Sequence, residues 1–512
     1  MSKENKIEEA ITELAASIGR DKISIDKPTR VCYSITHGSE FLFHENYFDD
    51  FLPDAVVRPS CTKEVQEIVK IANAYKVPLV PSGGRSGSCG AEGVSGGIVV
   101  DMCGMDKIID LNERNYRVTA EAGIRMIDLV SYLKKRGYMA TDWPDSDEIA
   151  TLGSRAAVNG YNWWENRWGS AGIIIQGLEV VIPNGDVIQV GRGSNKPTKT
   201  SLGWNLMDIF IGSRGTLGII TKVTETFTDF PPCSFVGAAA FSTYEEAIES
   251  YCELKKSKYS NTVWRVTCNV SPTIEFSKTV GKEWPSNIAM TLNYVLHGEP
   301  YEVEGMKKIT KKIIDAHNGF FPPELDEMAS WWNTHSSEWR GVEGKVTNLS
   351  LGFASHMFSA TLDTDGLSAR PVFLDPNIPD SNVLNYYYDL QKLLSTIQDC
   401  KTYPNLCRCA KVHDYGALIP GVRGFNKMWI VLHVFRNSLN EDSRKELLEW
   451  YNKHIELVYK HGGVVSTTHA WIPRQIEVQQ MKRTMGEVEY RFMTEIKKTV
   501  DPNGIMNPKI IF

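Results

Sequence analysis

The stretch Pro81-Ser82-Gly83-Gly84-Arg85-Ser86-Gly87 stands between two apolar runs, Val77-Pro78-Leu79-Val80 and Gly97-Ile98-Val99-Val100-Asp101. Glycine lacks the Cβ that holds a ligand away and tolerates φ > 0. Successive amides of such a loop can therefore converge on one anion, and phosphate is the ligand this chemistry suits. Taken alone, the same residues describe an ordinary surface turn. Two more small-residue stretches follow, Ala150-Thr151-Leu152-Gly153-Ser154-Arg155-Ala156-Ala157-Val158-Asn159-Gly160 and Gly212-Ser213-Arg214-Gly215-Thr216-Leu217-Gly218-Ile219-Ile220-Thr221. None is a G-x-G-x-x-G opening a helix, and no G-x-x-x-x-G-K-[ST] is present, so neither a Rossmann site nor a Walker loop is supported. Three separate loops within 51–230 suit a long, flat ligand touched by backbone along its length.

Short elements must position those loops. Val65, Ile68, Val69 and Ala72 line one face of a helix ahead of the first loop. Tyr116–Ala120 reads as a strand, and Met126, Leu129, Val130 and Leu133 give a second helical face. The strand Gly177–Ile182 ends in the hairpin turn Pro183-Asn184-Gly185-Asp186, and Val187–Val190 is its partner. Beyond Phe230-Pro231-Pro232 the texture changes to longer helices with paired aromatics, Trp331-Trp332 and Tyr386-Tyr387-Tyr388. There Leu448, Tyr451, Ile455 and Val458 share one side of a helix. From about 461 a strand and turn, Gly462–Ser466, and a helix around 485–499 lead to Asp501–Pro508. The chain thus divides into an N-terminal helix and arm (1–50), a loop-bearing domain (51–232), a second domain (233–460) and a closing segment (461–512).

At 512 residues the chain exceeds what one core organises. Its 42% hydrophobic and 23% charged content is that of a globular protein, and its net charge of −6 argues against binding nucleic acid or an anionic membrane. The N-terminus, MSKENKIEEAITELAASIG, lacks the apolar centre of a signal peptide, and no apolar run is long enough to span a bilayer. The 10 cysteines are scattered, and the closest pair, Cys407 and Cys409, reads as structural because Cys-x-Cys without further ligands makes a poor metal site. A reduced, cytoplasmic protein is the expectation, with no metal.

The motifs arrive in an order that resembles one family. Val57-Arg58-Pro59 with Glu64-Val65, Pro81–Gly87, Gly97–Asp101 leading to Met105, Glu121-Ala122-Gly123, Pro144-Asp145, Ala150–Gly153, Asn159-Gly160, Gly177–Val181, Gly212–Thr221 and Asp501–Pro508 follow one another as in the vanillyl-alcohol oxidase / p-cresol methylhydroxylase flavoproteins. The nearest branch is that of FAD-linked glycolate oxidases and D-lactate dehydrogenases. The matches cover 51–230 and 461–512; the middle is covered thinly. The resemblance implies an α+β fold. An FAD-binding PCMH-type domain of two α/β subdomains is joined there by a cap domain, an antiparallel sheet flanked by helices, and the chain's end returns to the FAD domain.

On that resemblance, Ser82, Gly83, Gly84, Arg85 and Ser86 hold the pyrophosphate of FAD. Pro144, Asp145, Thr151, Gly153, Ser154, Asn159 and Gly160 line the ribityl and flavin region. Trp168, Gly169, Ile219 and Ile220 lie along the cofactor, and Asn507 lies near the ring. Arg85 stands where some relatives have a histidine bonded to the flavin, so the FAD is expected to be non-covalent. Arg214 replaces the family's usual glutamate. His469 occupies the place of a Gly-Glu-His-Gly motif and is the first choice of base, since removing an O–H proton as hydride leaves carbon for flavin N5 calls for a pKa near working pH. His433 is the second choice, and Arg474 could pair with a substrate carboxylate. The expected activity is oxidation of a small alcohol, a 2-hydroxy acid or a phenolic alcohol. The alternative is a non-redox transfer of the kind run by alkylglycerone-phosphate synthases. The electron acceptor is oxygen or a redox partner, and a homodimer is expected from family habit.

Overall fold

The computed structural model describes residues 3–34, 51–87, 96–144, 146–191, 203–269, 287–323, 325, 369–374, 376–420, 425–435, 440–465, 474–508 and 510. They form two compact units: Met1–Tyr161, Ser170–Thr228 and Ile472–Phe512 make the first, and Asn162–Gly169 with Asp229–Trp471 the second.

The first unit holds two sheets. Strands β1 (Ile23–Ser24), β2 (Ala55–Val57), β3 (Leu79–Ser82) and β4 (Ile98–Asp101) lie in the order β1-β2-β4-β3. β2 and β3 both run parallel to β4, so β4 is central. Side chains alternate across a strand, and the two faces sort accordingly. Ala55, Val57, Leu79, Ile98 and Val100 face a core built with helices α1 (Lys3–Ile18) and, past α2 (Lys27–Ser34), α3 (Thr62–Tyr75). Val56, Val80 and Val99 pack on the other face against Tyr33 of α2. In α3 the expected stripe is buried, Val65, Ile68, Val69 and Ala72, with Ile71 added. Lys76 in the left-handed region ends the helix and turns the chain into β3.

The second sheet has the order β5-β6-β10-β8-β9, from β5 (Ile108–Asn112), β6 (Arg117–Glu121), β7 (Tyr138–Ala140), β8 (Ile175–Val181), β9 (Val187–Gly191) and β10 (Ile219–Asp229), with β7 also paired to β10. All seven residues of β8 are buried. Helix α4 (Met126–Lys134) packs Met126, Leu129, Val130 and Leu133 into this core, and α5 (Leu152–Val158) adds Leu152 and Ala156. The two cores meet through β8 and β10: Val180 and Ile220 belong to the second, Val181 and Ile219 to the first.

The end of the chain closes this unit. Helix α6 (Glu487–Val500) is the helix expected around 485–499, and a further helix, Arg474–Met485, precedes it across Gly486. Met506 then makes a parallel bridge to Leu79 of β3.

The second unit is built on one antiparallel sheet, order β11-β13-β12-β16-β17-β14. Its strands are β11 (Cys233–Phe241), β12 (Val263–Asn269), β13 (Met290–Gly298), β14 (Ala369–Leu374), β15 (Asn377–Pro379, on β17), β16 (Ala410–Pro420) and β17 (Phe425–Phe435). Helices Tyr244–Leu254, Pro300–Ala316, Val383–Ile397 and Glu441–Lys460 accompany it. Tyr386 and Tyr387 are core residues, and the Tyr386 hydroxyl lies 2.8 Å from Nε2 of buried His454. The buried stripe of Glu441–Lys460 runs through Leu447, not Leu448, with Trp450, Tyr451, Ile455 and Val458. Of the strand and turn expected at Gly462–Ser466, residues 462–465 form a turn with one bridge, Val464 to Asn377, and Ser466 lies outside the described residues. The fully reduced cysteine set is also corrected, because Cys407 forms a disulfide with Cys400, seven residues back, and Cys409 stays a buried thiol. Among the described residues no helix is long and apolar enough to cross a membrane, and no cluster of three metal-ligating side chains occurs.

Candidate functional site: a backbone-lined cleft in the first unit

The three small-residue loops converge. A cleft of about 550 Å³, partly open to solvent, is lined by Ser82 at the end of β3 and Gly83 after it, by Thr151, Gly153 and Ser154 at the start of α5, and by Ile220 at the start of β10. Pro81, Met102, Ala122, Ala157, Val158, Arg214, Gly215 and Gly218 complete the wall. The fit to a dinucleotide shows in what a Cβ would meet. One on Gly83 would stand 2.3 Å from the Thr151 hydroxyl, and one on Gly84 1.5 Å from the Ile149 carbonyl oxygen. Gly215, at φ +72°, would drive a Cβ to 2.4 Å from the Pro81 ring. Loop, helix start and turn therefore approach through bare backbone, and the single charged lining residue among the described residues, Arg214, is cationic. Those features suit a flat, anionic ligand.

The start of α5 is fixed locally. Ser154 Oγ accepts from the Thr151 amide (3.3 Å) and donates to the Thr151 carbonyl (2.7 Å), which holds both hydroxyl-bearing residues at the wall. Gly153 packs so closely on Ala122 that a Cβ would sit 2.5 Å from the Ala122 methyl. Arg214 holds a left-handed backbone (φ 51°), its amide bonded to Ala157 O at 2.8 Å. Asn507 Nδ2 donates to Arg214 O at 2.6 Å while its own amide donates to Leu79 O at 2.8 Å. Asn507 thus ties the turn to β3 beneath the cleft. The same turn is gripped by Lys497 of α6, whose ammonium donates to Thr216 O (2.6 Å), Met506 O (2.9 Å) and Asp501 Oδ2 (2.5 Å). Burial lowers the Lys497 pKa, and the Asp501 carboxylate opposes that shift.

The other expected residues that the structure describes are not part of the cleft wall. Arg85, at φ 58°, turns back: it donates to Tyr33 O at 3.0 Å and its guanidinium lies 5.2 Å from the Tyr33 ring centroid. Tyr33 in turn donates to Asp101 Oδ2 at 2.5 Å, and burial, then this carboxylate, push its hydroxyl up to about 12. Ser86 is half-buried beside it. Asn159 caps Gly172 N at 3.0 Å, and Gly160 lies under the Arg155 guanidinium; both are behind the wall. Pro144 is buried next to Asp145, which lies outside the described residues. Ile219 is core, because strand alternation sends only Ile220 to the cleft. Trp168 and Gly169 belong to the second unit, where Trp168 packs edge-on at 5.7 Å against Trp264. His433 sits in β17 opposite Pro371 and Lys411, Arg474 opens its helix, and His469 lies outside the described residues. Of the wall residues not singled out from sequence, Met102 carries no chemical signal, whereas Ala122, Ala157 and Val158 lie within the small-residue motifs already quoted. Arg214 and Gly215 did carry one, a Ser-Arg-Gly-Thr turn needing two left-handed residues.

Residues 53–191 match the FAD binding domain, and residues 415–510 match the C-terminal domain of FAD linked oxidases. The chain is 34% identical over 470 residues to the mitochondrial D-lactate dehydrogenase [cytochrome] of Arabidopsis thaliana, covering 89% of this chain and 73% of that one. It is 24% identical over 471 residues to the alkyldihydroxyacetonephosphate synthase of Caenorhabditis elegans, covering 89% and 75%. Its fold is that of the 4-ethylphenol oxidase from Gulosibacter chungangensis, solved with isoeugenol, at a TM-score of 0.76, 18% identity and 99% and 97% coverage.

Proposed function

Because the chain belongs to the FAD-linked oxidases and takes FAD as its cofactor, we propose that it oxidises the CH–OH carbon of a small alcohol, a 2-hydroxy acid before a phenolic alcohol. The observation that supports the site is the cleft itself, whose Ser82 and Gly83 backbone and Thr151–Ser154 turn would hold the cofactor's diphosphate and its neighbouring chain. The 2-hydroxy acid is favoured by the 34% identity to a D-lactate dehydrogenase. Bound flavin supplies the hydride acceptor. The protein's share is to orient the substrate, remove its hydroxyl proton and keep water from competing. His469 is proposed as the base, with His433 as the second choice, and Arg474 as the partner of the substrate carboxylate, where a bidentate guanidinium would fix the α-carbon. A cytochrome, named in that relative, or oxygen would take the electrons.

Anaerobic mixing of the yellow protein with a panel of 2-hydroxy acids, phenolic alcohols and amines tests the reading. Flavin absorbance should bleach with one enantiomer of a 2-hydroxy acid. Bleaching by phenolic alcohols alone would move the assignment, and bleaching by none would remove it. The likeness to an alkyldihydroxyacetonephosphate synthase favours a second reading, exchange of an acyl for an alkyl group without net oxidation. Product formation from an acyl dihydroxyacetone phosphate and a long-chain alcohol without any electron acceptor would establish it.

A further inference from the structure

Behind the wall of the cleft lies a buried charge cluster that the cofactor contacts do not use. Arg155, in the middle of α5, donates from Nε to Asp142 Oδ2 at 2.9 Å and from Nη2 to Asp142 Oδ1, with a further bond from Nη2 to Gly160 O at 3.3 Å. The side chains of the pair are 7% and 0% exposed. Beside them sits Glu225 of β10, fully buried between its register partners Val118 of β6 and Ile175 of β8. Val223 and Phe227, two residues to either side, pack in the hydrophobic core with Leu152 and Ala156 of α5. Neither Glu225 oxygen has a hydrogen-bond partner among the described residues. The charged groups that act on it are Asp142 and Arg155.

The guanidinium near these two buried carboxyl groups therefore gives its hydrogen bonds to one of them, Asp142, and none to Glu225. A second bare anion in that core, without donors, would be strongly disfavoured, whereas a neutral acid is tolerable. We propose that Asp142, Arg155 and Glu225 form a proton-dependent brace that sets the position of α5, and with it Thr151 and Ser154 at the cofactor wall. With the proton on Glu225, Arg155 is held by Asp142 and Gly160 alone. When that proton leaves, Arg155 faces two competing anions, and the register of α5 against β10 is no longer singly defined. The inference rests on the cleft being the cofactor site. Arg155 and Glu225 are positioning residues, since neither lines it.

The sign follows from linkage. Burial first, then the Asp142 charge, raise the Glu225 pKa well above its ordinary value, while Arg155 opposes this. A group with a raised folded pKa contributes stability that is complete below the unfolded pKa and is lost as pH rises through the folded one. In that window each pH unit is worth up to about tenfold in the braced population.

The wild-type protein, Glu225→Gln and Glu225→Leu decide it. The FAD dissociation constant, read by flavin fluorescence from about pH 5 to pH 9, should weaken with pH in the wild type by up to about tenfold per unit and stay flat in both variants. Infrared difference spectra of wild type minus Glu225→Gln at neutral pH should show a protonated-carboxyl C=O stretch. Parallel binding curves in all three proteins, or no such band, would overturn the brace. If no flavin binds at any pH, the cleft reading fails instead, and the infrared band together with the pH dependence of the apoprotein's thermal midpoint still decides the brace.

Discussion

Two residues illustrate opposite ways of serving the same reaction. Gly84 matters for an atom it lacks: a Cβ there would stand 1.5 Å from Ile149 O, a separation that forces the loop or the segment before α5 to move. Gly84→Ala should cost about 1–3 kcal/mol by overpacking and raise the FAD dissociation constant at least about tenfold. Comparing flavin retained after gel filtration with the denaturant midpoint checks both halves. His469 matters for what it carries. If it removes the hydroxyl proton, His469→Ala should keep its yellow colour yet reduce about 10²–10⁴-fold more slowly with substrate. Stopped-flow reduction across pH measures this, and the acidic limb of the wild-type profile should vanish in the variant. Unchanged reduction would pass the role to His433. Arg85 shows a side chain held by the protein itself, through Tyr33 O at 3.0 Å and Ser82 Oγ at 3.4 Å. A guanidinium beside a phosphate loop suits a diphosphate, but its left-handed backbone and the Tyr33 ring turn it toward α2.

Among the elements, α6 and the turn after it act as a clamp. Lys497 satisfies three acceptors at once, Asp501 also accepts the Ile505 and Met506 amides at 3.1 and 2.8 Å, and Thr216 O belongs to the turn that lines the cleft. Lys497→Met removes the cation and leaves the Asp501 carboxylate buried without it, which should cost about 3–5 kcal/mol. Because Thr216 loses its donor too, flavin should dissociate at a lower temperature than the secondary structure melts. Fluorescence of released flavin against far-ultraviolet circular dichroism separates the two events. Elements of this kind divide cleanly into what sequence shows and what it hides. The stripes of α3 and α4, the buried run of β8 and the Pro-Asn-Gly-Asp hairpin were legible, because period and turn chemistry are local properties. The convergence of three small-residue loops was legible through their order. The Asp142–Arg155–Glu225 cluster was not, since Asp142 follows β7, Arg155 lies on α5 and Glu225 comes from β10, far along the chain. Nor was the pairing of Cys407, whose partner is chosen by the turn after Ile397 rather than by nearness in sequence. The edge-on contact of Trp168 with Trp264, nearly a hundred residues on, was hidden for the same reason.

At the scale of the molecule, the first unit is discontinuous: the chain leaves it after Thr228 and returns at Ile472. What returns is not a decorative tail. Ile505 and Met506 are 1% and 0% exposed within the core of the β1–β4 sheet, and Met506 lies alongside Leu79 at the strand that delivers the phosphate loop. Leu79 N donates to Ile505 O at 2.7 Å, and Asn507 N donates to Leu79 O at 2.8 Å, so β3 has a neighbour on each side only when the end of the chain is in place. Without it the edge of β3 exposes unpaired backbone groups, and two buried apolar side chains are lost, worth about 1.5–3 kcal/mol each. A chain terminated after Trp471 should therefore fail to hold FAD and expose apolar surface. Expressed beside the full-length protein, it should elute without 450-nm absorbance and bind an apolar dye. A separately supplied 472–512 segment should restore colour, because the missing strand neighbour and the Lys497 clamp lie within it. Full flavin occupancy in the shortened chain would show instead that the loops between Pro81 and Thr221 hold the cofactor unaided and that the returning segment serves stability alone.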